Sequence, residues 1–72
     1  MQATTRFIWD GGDRWLRINR TEAHYFAQVM SHRAGRALEP VSDLRDSVRP
    51  DRRAAIERAV DGHIRAFQEQ AA

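Results

Sequence analysis

Three histidines, a serine beside one of them and two aspartates around a Gly-Gly pair are the residues of this chain whose types suit catalysis or metal binding. His24 and His32 stand eight positions apart, about 80° of rotation on a helix, which is not the i,i+4 separation that turns two imidazoles towards one ion. His63 falls on or beside an apolar helical stripe, where a histidine is expected at the edge of a core, bonded to a carbonyl. There is no cysteine, so thiolate ligands and disulfides are both excluded. Ser31 and His32 are sequence neighbours that point to different sides of a helix, and no serine lies in a Gly-x-Ser-x-Gly context. Gly11-Gly12 is followed by a strand pattern rather than a helix, so it does not read as a phosphate cradle. Asp10 and Asp13 flank a turn open to water, and the turn is their expected task. The expectation is a chain without catalytic residues, metal or cofactor, and not an enzyme.

Binding chemistry has two sources. Arg45, Arg49 and Arg52 lie at i, i+4 and i+7 and would form one basic stripe on a helix running through Pro50. With Arg6, Arg17 and Trp15 they could meet phosphates and a stacked base, the chemistry of an arginine-rich nucleic-acid-binding accessory protein. The charge pattern favours a solvated face instead. Twelve arginines and no lysine oppose ten acids for a net +2, and Asp43, Asp46, Asp51, Glu57 and Asp61 are interleaved with the arginines. The pI of 10.4 reflects the guanidinium pKa more than an excess of base. Arginine in place of lysine fits a GC-rich bacterial or phage genome. The second source is an apolar hairpin face carrying Arg6, Ile8, Trp15 and Arg17, the composition of an interface hot spot.

The elements that must position these residues follow from periodicity. Thr5 to Trp9 and Arg14 to Asn19 are rich in β-branched and aromatic residues, and Gly11-Gly12 between them accepts positive φ at both centres of a type I′ turn, which predicts a β-hairpin over about 5–19. A two-residue loop pairs Trp9 with Arg14, Ile8 with Trp15 and Phe7 with Leu16. Thr5, Phe7, Trp9, Leu16 and Ile18 then form the core face. A helix over about 21–34 opens at Asn19 or at Thr21, carries Ala23, Phe26, Ala27, Met30 and Ala34 on one stripe with Tyr25 and Val29 flanking it, and stops at Ala34-Gly35. Val41, Leu44 and Val48 behind a Ser42 cap suggest a short helix over about 42–48. Proline at 50 favours a break, with Pro50 opening a last helix over about 50–68.

That last helix is the element the others pack against. Ile56, Ala59, Val60, His63, Ile64 and Phe67 form its apolar stripe. Arg58 with Asp61, Asp61 with Arg65 and Arg65 with Glu69 are spaced as ion pairs along its outer side. Gly62 interrupts it, at a cost of about 1 kcal/mol relative to alanine, and its lack of a side chain suits close approach of another backbone, the hairpin or a second subunit.

A 72-residue chain of 8.3 kDa is one small domain near the lower limit for a self-sufficient core. Without disulfides, association with a second copy is the expected support, and a two-stranded sheet with open edges gives it a place. No apolar run approaches a membrane span, and the first ten residues lack the pattern of a signal peptide, so a cytoplasmic location without membrane contact is expected.

Phe7, Gly11 or Gly12, Leu16, Ile18, Glu22, Ala23, Arg53, Ile56, Glu57 and Ile64 together resemble a family of short bacterial proteins designated domain of unknown function fourteen eighty-eight. Its pattern is a Phe-containing strand, a glycine turn, an alternating strand, a helix with Glu-Ala and a final helix with Arg-x-x-Ile-Glu, and the resemblance runs from about Thr5 to Phe67. Pro50 interrupts a helix that the family runs more regularly, and Arg52 stands where an apolar or aromatic residue is common. The resemblance implies a small α+β fold and carries no activity. The expected whole is an α+β domain, an N-terminal β-hairpin followed by two or three helices on one face. It would act as a small regulatory or protein-interaction module, a homodimer that also binds a protein partner, with nucleic acid as the less favoured partner.

Overall fold

The computed structural model describes residues 6–35 and 44–71. Thr5, Val41, Ser42 and Asp43 lie outside the described residues. Strands β1 (Arg6–Trp9) and β2 (Trp15–Ile18) form an antiparallel hairpin, followed by helix α1 (Arg20–Arg33), one 3-10 turn (Leu44–Ser47) and helix α2 (Pro50–Ala71). The fold is therefore α+β, with a two-stranded sheet and two α-helices among the described residues. No helix among the described residues is long and apolar enough to cross a membrane.

The hairpin pairs one residue away from the expected register. Arg6 faces Ile18, Phe7 faces Arg17, Ile8 faces Leu16 and Trp9 faces Trp15. The loop is thus Gly11-Gly12-Asp13, closed by the bond from the Asp10 amide to the Arg14 carbonyl at 3.3 Å. The local reason is Asp10, whose Oδ1 accepts from the Gly12 amide at 2.9 Å and bends the chain one residue later than a Gly-Gly I′ turn would. Gly11 alone takes positive φ, 88°, in this loop. A slip of one residue turns every side chain of β1 over. Ile8 joins Leu16 and Ile18 against the core, whereas Phe7, expected inside, is 58% exposed.

Asn19, not Thr21, caps α1. Its side chain accepts from the Glu22 amide at 2.8 Å while Glu22 Oε1 accepts from the Asn19 amide at 2.8 Å, a reciprocal capping box. The helix ends at Ala34, where Gly35 takes φ 74°. The expected break before Pro50 is present. The 3-10 turn ends at Ser47, the Arg49 carbonyl accepts from the Arg53 amide at 2.8 Å, and Pro50 occupies the first helical position, where its missing N–H costs nothing. The Arg53 guanidinium then ties the corner by donating to the carbonyls of Arg45 and Val48.

The core is Ile18 from β2, Tyr25 and Val29 from α1, Val48 from the corner, and Ile56 and Val60 from α2. The apolar stripe of α2 is covered unevenly along its length. Ile56, Ala59 and Val60 are buried, His63 and Ile64 are half-buried, and Phe67 is exposed. Gly62 serves the hairpin rather than a second subunit. A Cβ on Gly62 would run into the carbonyl of Asp10, and one on Gly11 would run into the carbonyl of Gly62. Backbone-to-backbone contact at this point holds the hairpin tip on α2. Trp9 closes it from the side, donating from Nε1 to the Gly12 carbonyl and standing edge-on to His63 with ring centres 5.9 Å apart.

Candidate functional site

Polar groups divide sharply between an inner set that is closed on itself and an outer set that is not. The inner set centres on Glu22, the buried carboxylate of the core. Arg52 Nε donates to Glu22 Oε2 at 2.6 Å, and Arg52 Nη2 donates both to Glu22 Oε1 and to the Arg17 carbonyl. One guanidinium therefore joins the start of α1, the end of β2 and the first turns of α2. Its hydrogen bond holds the Glu22 carboxyl below the usual glutamate range against the opposing effect of burial, and the same bond raises the Arg52 guanidinium. Nearby, burial and a hydrogen bond to Glu57 at 3.1 Å push the Tyr25 phenol up.

This clasp removes Arg52 from the expected basic stripe. Arg49 lies ahead of α2, 3.7 Å from Asp51, and Arg45 belongs to the 3-10 turn on the far side of the break. Arg45, Arg49 and Arg52 are consequently not arranged as one helical face, because Pro50 starts a new helix instead of continuing an old one. The expected pairs within α2 are also replaced. Asp61 binds Arg33 of α1 at 2.9 Å, and among the described residues no ion pair uses Arg58 or Arg65. The pairing raises the Arg33 guanidinium further.

The expected hairpin face is likewise recomposed. Trp15 and Arg17 lie on the outer face, as read from the sequence, but Arg6 and Ile8 belong to the opposite face, with Ile8 packed on the core. Their places are taken by Phe7 and Trp9. Trp15 is 65% exposed and sits diagonally across from Phe7, so two large apolar side chains and the Arg17 guanidinium share one unshielded surface. Of the histidines, His24 and His32 are exposed, while His63 is wedged between the rings of Trp9 and Phe26 at the edge of the core. Ring contacts take the place of the expected carbonyl partner. No three His, Cys, Asp or Glu side chains among the described residues come together as a metal-holding group.

Beside the outer face, a groove of about 560 Å³ runs between the hairpin and α2. Trp15 forms one wall, Ala55, Ala59 and Gly62 give a shallow floor, and Arg14, Arg58 and Arg65 stand around it. Sequence reasoning assigned Arg58 and Arg65 to ion pairs and gave Arg14 no role. The signal that marks them is their seven-residue spacing on the side of α2 that also carries Ala55 and Gly62, a cationic rim over a cleft of small residues.

Comparison of this chain with family models, curated proteins and solved structures gave no match.

Proposed function

We propose that this chain is a small non-enzymatic protein-interaction module that engages a protein partner, and a second copy of itself, through the outer face of its hairpin. The observation that carries the reading is the joint exposure of Phe7 and Trp15 on one sheet face beside Arg17. Two large apolar side chains left in water on a rigid hairpin stand to gain free energy on being covered, and Trp with Arg is the composition enriched where interfaces concentrate their binding energy. The surface is also held in place before any partner arrives. Gly11 and Gly62 lock the hairpin tip to α2, and Arg52 locks the end of β2, so little ordering entropy is left to lose on binding. Kinship with the family designated domain of unknown function fourteen eighty-eight is part of the same proposal, since the hairpin-and-helices build is what that resemblance implies.

The test combines mass and capture. Sedimentation at high micromolar concentration should give more than the 8.3 kDa of a single chain. A tagged chain should retain a protein from the source lysate after nuclease treatment. Trp15→Ala and Phe7→Ala should each lower both signals while leaving the circular dichroism unchanged. A monomer whose captured material disappears with nuclease would refute the reading.

A further inference from the structure

We infer that the groove between the hairpin and α2 receives an acidic peptide segment of the protein partner, with one apolar side chain laid against Trp15. The inference rests on the interaction-module reading above and specifies the chemistry of what is bound. Its first ground is unmatched charge. Of the two carboxylates that line the groove, Asp61 is paired with Arg33, and Asp10, tied to the Gly12 amide of its own turn, keeps one negative charge against the three arginines. Arg14, Arg58 and Arg65 line the same groove, and none of them takes part in an ion pair among the described residues. Three guanidinium forks around one cleft match carboxylates, which accept two parallel N–H bonds from each fork.

The second ground is shape. Ala55, Ala59 and Gly62 keep the floor of the groove low, and the exposed Trp15 ring rises beside it. A volume of about 560 Å³ accommodates a few side chains and not a folded domain. Polypeptide is favoured over nucleic acid because the cationic rim is confined to one short cleft, whereas a nucleic-acid strand is held by a basic groove that follows its backbone over several phosphates. The arginines also do not continue into a track, since Arg52 is closed on Glu22 and Arg49 lies by Asp51. A second copy is disfavoured as the occupant because the exposed acids of the described residues, Asp13, Asp46, Asp51, Asp61 and Glu69, stand singly in the sequence and offer no acidic run.

The test uses a fluorescein-labelled peptide of about ten glutamates interrupted by a central Leu-Phe pair, titrated with the full chain at low salt and read by anisotropy. A matched lysine peptide and an oligothymidine of similar length serve as comparisons. The glutamate peptide should bind and the lysine peptide should not. The double variant Arg58→Glu, Arg65→Glu should weaken binding at least ten-fold with an unchanged melting temperature, Arg58→Lys should weaken it less, and Trp15→Ala should weaken it several-fold. Phe7→Ala lies off the groove and should leave it unchanged.

No binding of the glutamate peptide, or equal binding by the double variant, would overturn the inference, as would tighter binding of oligothymidine. Loss of self-association in the double variant would assign the groove to a second copy and overturn it too. If the peptide fails while Phe7→Ala still abolishes capture, the groove assignment falls and the interaction module stands. If Phe7→Ala and Trp15→Ala alter neither capture nor mass, the module itself falls.

Discussion

Arg52 and Arg58 stand about 120° apart around one helix, and the difference between their surroundings separates the part of this protein that folds it from the part that faces outward. Arg52 meets a buried carboxylate from α1 and a carbonyl from β2, so its charge is used within the fold. Arg58 meets a shallow cleft walled by an exposed tryptophan and has no ion-pair partner among the described residues. Residue type and helix are shared. What differs is whether the tertiary structure delivers an acid to that side of α2, and Glu22 is delivered to one side only.

The strongest way to break this contrast is to replace each arginine by methionine, which keeps the stem and removes the charge. Arg52→Met leaves Glu22 buried without its partner and should cost about 2 to 3 kcal/mol in urea unfolding, since a hydrogen bond to a charged group is lost and its acceptor stays desolvated. Arg58→Met should stay within about 0.5 kcal/mol of the parent, as surface changes away from caps and networks do. Equal effects would erase the distinction.

Next in size is Gly62→Ala. Helix propensity alone predicts about 1 kcal/mol of stabilisation. The Asp10 carbonyl occupies the space that the new methyl needs, so the structure predicts the opposite sign, a loss of about 1 to 3 kcal/mol as the hairpin is pushed from α2. A stabilised variant would show that the hairpin tip does not rest there.

A pH titration sharpens the inner half of the comparison. Glu22 has a folded pKa lowered chiefly by Arg52, so its contribution is fully present above the unfolded glutamate value and is lost as the pH falls through the lowered folded one. Stability of the parent should therefore decline across the acid side of the carboxylate range, and Arg52→Met should lose most of that dependence. Identical acid limbs in the two proteins would separate Glu22 from the effect. Tyr25→Phe should cost about 1 kcal/mol through the lost bond to Glu57. The smallest expected stability change belongs to Trp15→Ala, within about 0.5 kcal/mol, because the ring is two-thirds in water. A larger loss on melting would mean that the indole supports the fold instead of awaiting a partner.

Much of the architecture is legible in the amino-acid sequence. The cap region at Asn19 and Glu22, the stop at Gly35, the break at Pro50 and the stripe from Ile56 to Val60 all depend on contacts within a few residues, and all are present. The candidate surface was legible only in part. Trp15 and Arg17 were placed on the outer face correctly because β2 keeps its facing whatever the loop does. Arg6, Ile8 and Phe7 changed sides because one hydrogen bond from Gly12 to Asp10 lengthened the loop by a residue.

The amino-acid sequence by itself determined the kinds of element, their order and the inner face of the last helix, since each is set by the spacing of apolar residues and by capping groups a turn away. Only the tertiary structure decided which acid each arginine meets, which strand face looks outward and why α2 tolerates a glycine. Glu22 and Arg52 are thirty positions apart, and Arg33 and Asp61 twenty-eight. No local pattern encodes a meeting at that separation, because it depends on where two packed helices bring their side chains rather than on what either segment prefers alone.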